Sequence, residues 1–137
     1  MEPVVLDSSV LVASFLPDDH FHQQALQHIV GLESGNSVFH LPMLVWVEVI
    51  ASVNRQAQRN RMALLSRAEQ SLKDWDSSGK IVLYPLDRDR MNKAASVAER
   101  YRLRGADSIV VALAEELDMP LKAFDEEILE RFERASP

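Results

Sequence analysis

Residues 3–15 read Pro-Val-Val-Leu-Asp-Ser-Ser-Val-Leu-Val-Ala-Ser-Phe, and this stretch decides the fold class. Val4-Val5-Leu6 is a short continuous apolar run, the pattern of a strand buried on both faces. Asp7 and Ser8 then interrupt it with residue types that start helices. Val10 and Leu11 therefore belong to a short apolar helix running to about Phe15. Three more apolar runs, Val38 to Leu41, Ile81 to Tyr84 and Leu121 to Phe124, read as strands of the same kind. Helical patterns fill the spaces between them: His20 to Leu32, Pro42 to Gln58, Arg61 to Asp76, Asp87 to Tyr101 and Ala106 to Leu117, with a short last one over Glu126 to Phe132. In the fourth of these, Met91, Ala94, Ala95, Ala98 and Tyr101 fall at the spacing of a single apolar face. Strands alternating with helices imply parallel pairing through right-handed crossovers. The expected architecture is a three-layer α/β/α domain, 1–137, around a parallel sheet of four or five strands. Sites in such sheets lie beyond the carboxyl ends of the strands, where the strand order reverses.

The composition narrows the function. The 137 residues include no cysteine, which removes disulfide scaffolds, Cys-zinc sites, iron–sulfur clusters and thiol catalysis. The net charge of −6 argues against a protein that coats duplex DNA with positive charge. It leaves room for an enzyme that meets a polyanion at one metal-bearing site. Four scattered glycines form neither a dinucleotide-binding nor a P-loop motif. The start has no basic segment ahead of an apolar one, and no run approaches ~18 apolar residues. The expected location is the cytoplasm, with no membrane contact.

Four carboxylates stand out. Asp7 follows the first strand and Asp125 follows the last, in Ala123-Phe124-Asp125. Asp107 lies at a helix start in Arg104-Gly105-Ala106-Asp107-Ser108. Helix capping accounts for each of these three taken singly. Glu48 resists that account. It lies mid-helix in Leu44-Val45-Trp46-Val47-Glu48-Val49-Ile50, with no Lys or Arg within a turn, so its partner must come from elsewhere in the chain. Carboxylates ~5 Å apart repel by roughly 3 kcal/mol at an effective dielectric of ~20. Four gathered together would take up protons unless a divalent cation sat among them. All-oxygen ligands favour Mg²⁺ or Mn²⁺, ions suited to phosphoryl chemistry.

These acids, in this order and with these neighbours, resemble the PIN-domain ribonucleases, in particular VapC-type toxins of toxin–antitoxin pairs. The resemblance rests on Val5-Leu6-Asp7-Ser8-Ser9-Val10-Leu11, on Glu48 in the helix after the second strand, on Leu103-Arg104-Gly105-Ala106-Asp107-Ser108-Ile109, and on Phe124-Asp125-Glu126-Glu127. The third block is the most specific. The resemblance implies a Mg²⁺- or Mn²⁺-dependent endoribonuclease whose metal site is Asp7, Glu48, Asp107 and Asp125. It makes Ser9 the small polar residue beside the first acid. It also implies a homodimer and a small antitoxin that wraps the toxin and reaches into the acidic cleft. On this reading a water activated by metal at Asp7 and Asp107 attacks an RNA phosphodiester, and the other two acids orient it or hold a second ion. Ala123 departs from the pattern, because many relatives carry Thr or Ser there.

The remaining signals are weaker. Arg104, just before Asp107, is placed to hold an RNA backbone. Arg55, Arg59, Arg61 and Arg67 read as a solvated helix face. His20, His22, His28 and His40 show no metal-ligand spacing. Trp46, Phe15, Phe39 and Phe124 read as core, with base stacking open to Trp46. Two other functions compete: a PIN module that binds RNA or protein without cleaving, and a phosphatase with an Asp nucleophile. The phosphatase pattern wants a second Asp two residues after Asp7, where this chain has Ser9. A receiver domain would want its lysine elsewhere than Lys122.

Overall fold

A computed structural model describes residues 2–124 and residue 128. Among these, four strands and six helices follow one another as β1 (Glu2–Leu6), α1 (Ser8–Phe15), α2 (His22–Glu33), β2 (Ser37–Pro42), α3 (Met43–Gln56), α4 (Arg61–Ser77), β3 (Ile81–Tyr84), α5 (Arg88–Tyr101), α6 (Gly105–Leu117) and β4 (Leu121–Lys122). The strands form one sheet in the order β3-β2-β1-β4, and every pairing is parallel. The α/β class, the parallel sheet and the four strands match the reading of the sequence. The fourth strand is shorter than its apolar run suggested, because only Leu121 and Lys122 find partners, opposite Val5 and Leu6. The helix expected over Glu126 to Phe132 lies outside the described residues, apart from Ile128.

Burial explains why these segments became these elements. Val4, Val5 and Leu6 are all buried, as a strand covered on both faces requires. In α3 the buried residues Val45, Val49 and Val53 recur every fourth position, so one stripe of the helix faces the sheet. Full burial of a Val or Leu contributes roughly 1.5–3 kcal/mol each, and Leu6, Leu11, Leu41 and Leu72 are all without solvent contact. Gly35 and Gly79, at φ 83° and 77°, turn the chain out of α2 and α4 into β2 and β3. A side chain at either position would strain that left-handed backbone.

The topology fixes where a site can form. From β1 the chain moves outward through β2 to β3, then returns across the sheet to place β4 on the other side of β1. The strand order therefore reverses between β1 and β4. The crevice beyond their carboxyl ends is the position such sheets reserve for ligands. Asp7 stands there, one residue after β1. Among the described residues no helix is long and apolar enough to cross a membrane.

Candidate active site

Asp7 is held by its backbone on both sides. Its N–H donates to the Lys122 carbonyl at 2.9 Å, which ties it to β4. Its side chain caps α1, with Oδ2 accepting the Ser9 N–H at 3.2 Å. The capping role considered from sequence is thus real, and it uses one carboxylate oxygen. The residue as a whole is buried, only 7% exposed. A carboxyl held so firmly inside the fold is a fixed oxygen donor at the sheet's reversal point.

Glu48 lies on α3 beside the buried stripe of Val45 and Val49, and is itself half-buried. No lysine or arginine pairs with it among the described residues. Its carboxyl is pushed above its ordinary value, first by burial and then by the negative charges of Asp7 and Asp107. A hydrogen bond with the Ser8 hydroxyl pulls the other way. Each of those neighbours is remote in sequence, as the lack of a local partner required. Acids at the β1–α1 junction and on α6 therefore act through space on Glu48 of α3.

Asp107 is the third residue of α6, not its cap; Arg104 occupies the cap position, and Asp107 falls in the first turn. There its charge complements the positive end of the helix. Its Oδ2 receives a hydrogen bond and ion pair from Arg104 Nε at 3.2 Å. Asp125 lies outside the described residues. The Ser9 Oγ accepts the Phe124 N–H at 3.1 Å, at the residue that precedes Asp125 in the sequence. Ser9 is thus a tether between α1 and the segment after β4. Ala123 is buried.

Sequence reasoning missed Ser8, whose hydroxyl meets Glu48. It also missed Ser52 and Gln56, which follow Glu48 at intervals of four and so share its helix face. That spacing was visible in the sequence. A cleft of about 330 Å³ opens along these residues, lined by Ser8, Ser9, Ser52 and Gln56 among others, with Phe21 and Phe124 stacked at its wall. A second cleft of about 630 Å³ shares Asp19 and Gln56 with it and carries Arg55 and Arg59. The histidines are otherwise engaged: His22 Nδ1 lies 2.7 Å from the Ala13 carbonyl, and His40 Nδ1 2.8 Å from the Tyr84 hydroxyl. Trp46 packs against the core, Phe15 stacks on Trp75, and Phe39 is buried.

A hard cation fits the chemistry of this donor set. The groups that raise Glu48 are carboxylates, the nearby neutral groups are serine hydroxyls, and the chain has no cysteine thiolate. Among the described residues, however, no three such side chains are gathered tightly enough to enclose an ion. Asp107 is instead turned to Arg104.

The sequence matches the PIN domain family over residues 4–135. The chain belongs to the PIN domain family. Solved structures share the PIN fold at low identity. VapC20 of Mycobacterium tuberculosis, described as a sarcin–ricin loop cleaving toxin, is 18% identical with a TM-score of 0.72, over 93% of each chain. FitAcB from Neisseria gonorrhoeae is 17% identical with a TM-score of 0.67, over 95% of this chain and 93% of the other. VapBC2 from Rickettsia felis, solved with a DNA fragment from its promoter, is 10% identical with a TM-score of 0.62, over 94% of this chain and 92% of that one. No protein of curated function matches significantly in sequence. In this PIN domain, then, Asp7 follows β1, Glu48 lies on α3 and Asp107 lies in the first turn of α6.

Proposed function

We propose that this PIN domain is a metal-dependent endoribonuclease, the toxin of a toxin–antitoxin pair, with Asp7, Glu48, Asp107 and Asp125 as its metal-holding acids. The observation that carries the reading is the response of Glu48: a carboxyl on α3 is raised by both Asp7 and Asp107, each from another element. A fold stores such repulsion where a function needs it, and a divalent cation is what relieves it. When bound, Mg²⁺ or Mn²⁺ supplies Lewis acidity, lowering the pKa of water and offsetting charge on a phosphodiester.

The chain's own residues supply the rest. Buried Asp7 gives a rigid oxygen at the end of β1. Glu48, with its raised affinity for a proton, is suited to hold or pass one at its carboxylate oxygen when the site is not charge-balanced. Ser8 donates to Glu48 and so limits that rise. Arg104, exposed at the rim, presents a fork of donors that matches a phosphate of the RNA backbone. The toxin assignment and the antitoxin partner are supported by the toxin and toxin–antitoxin complex structures that share the fold, and a homodimer is part of the same proposal.

The test is cleavage of a single-stranded RNA oligonucleotide with Mn²⁺, by the wild-type chain and by Asp7→Asn. The proposal expects Mn²⁺-dependent cleavage leaving 5′-phosphate ends, lost in the variant. Cleavage that survives Asp7→Asn, or that leaves 2′,3′-cyclic phosphates, would refute it.

A further inference from the structure

Arg104 folds back onto the helix it precedes, placing Nε 3.2 Å from Oδ2 of Asp107. The two side chains are unequally exposed, at 76% for Arg104 and 16% for Asp107. One partner is therefore anchored in the site and the other stands on a flexible stem at its edge. The pair is not needed to begin α6. The Arg104 backbone carbonyl already accepts the Ser108 N–H at 2.9 Å and the Ser108 hydroxyl at 2.8 Å, whatever the side chain does. Asp107 in a first helical turn is favoured there even without a guanidinium. What the guanidinium adds is positive charge on one of the two acids that act on Glu48.

We propose that Arg104 is a built-in counter-cation, a positioning residue that competes with a divalent ion for Asp107. Without the ion it balances Asp107 and turns that carboxylate toward the rim. When the ion binds, Asp107 turns inward and the guanidinium is released at the mouth of the site, where a polyanionic substrate arrives. The inference rests on the metal-nuclease reading and adds to it an exchange of one cation for another. An exposed ion pair is weak, so the competition lowers metal affinity by only about two- to fivefold. Arginine keeps its charge at any accessible pH, so the competition does not disappear on titration of Arg104.

The experiment is calorimetric titration with Mn²⁺ of the wild-type chain, Arg104→Gln, Arg104→Lys and, as a control away from the site, Arg88→Gln. Thermal unfolding without metal is recorded for each. Arg104→Gln should bind Mn²⁺ about two- to fivefold more tightly, with its metal-free Tm lowered by only about 1–4 °C, the same small free energy read in the other direction. The same variant should show a raised KM for RNA. Arg104→Lys should lie closer to wild type, and Arg88→Gln should match it. Equal Mn²⁺ affinity in Arg104→Gln and wild type would remove the competition and leave the nuclease reading standing. Weaker Mn²⁺ binding with a lowered metal-free Tm would make Arg104 a support of α6 and overturn the proposal. If neither chain binds Mn²⁺, the metal-nuclease reading falls and this inference falls with it.

Discussion

Replacing Ser9 with alanine tests the tether between the first helix and the end of the sheet. The hydroxyl accepts the Phe124 N–H at 3.1 Å across 115 residues of sequence, and the bond is partly buried. A net protein hydrogen bond contributes about 0.5–1.5 kcal/mol, and a stranded donor adds to the loss where water cannot reach it. Ser9 is half-buried, so water relieves some of that penalty. Alanine also fits a helix slightly better than serine, which offsets a few tenths of a kcal/mol. The sum is a loss of about 1 kcal/mol, or roughly 3–5 °C in Tm for a chain of this length. Urea and thermal unfolding measure it directly. The α1 cap itself should survive, because it uses the Ser9 backbone N–H and not the hydroxyl. RNA cleavage should fall more than stability does, since the freed segment leads into Asp125. A Ser9→Ala chain with wild-type stability and wild-type cleavage would show that the tether has no role.

Further expectations follow from the site and the core. Asp7→Asn should keep the fold, because asparagine caps a helix about as well as aspartate, while Mn²⁺ binding and cleavage drop to background; circular dichroism and calorimetry check the two halves. Glu48→Gln should change how stability depends on pH. The Glu48 carboxyl titrates above its ordinary 4.5, mainly through burial and then through Asp7 and Asp107. The native chain therefore keeps a proton that the unfolded chain has lost, and metal-free stability falls as pH rises from 4.5 through the raised value. In Glu48→Gln that decline should vanish, leaving the metal-free variant the more stable above this window and the less stabilised by Mn²⁺. Denaturant titrations across pH, with and without metal, read both signs. Leu41→Ala, at a fully buried position of β2, should cost about 2–5 kcal/mol in urea unfolding without altering the chemistry of residual cleavage.

The elements were legible wherever the apolar pattern was strong. Val4-Val5-Leu6 and the helix ending at Phe15 could be read because burial all round leaves continuous apolar runs, separated here by Asp7 and Ser8. Ile81 to Tyr84 was read from an equally apolar run, of which only Ile81 is buried. The strand at Leu121 was overextended, because an apolar run shows burial and not which backbone groups find partners. Among the acids, Glu48 was the informative one, since a lone charge in an apolar helix demands a partner. That its neighbours were Asp7 and Asp107 follows from tertiary structure, which no local pattern encodes. The pairing of Arg104 with Asp107 was within reach, because three residues at a helix start bring side chains together. Instead the sequence suggested only a phosphate contact, since nothing local says whether an arginine faces outward to substrate or back to its own helix. The Ser9 tether joins positions at opposite ends of the chain and could not be foreseen.

The convergence of carboxylates on one cation is tested most directly by anomalous diffraction from crystals of the wild-type chain grown with Mn²⁺. The account predicts a single strong peak, or a close pair, among Asp7, Glu48 and Asp107, with the Asp107 carboxylate turned away from Arg104. Ordered density for all three acids with no peak between them, or manganese bound only elsewhere on the surface, would contradict it.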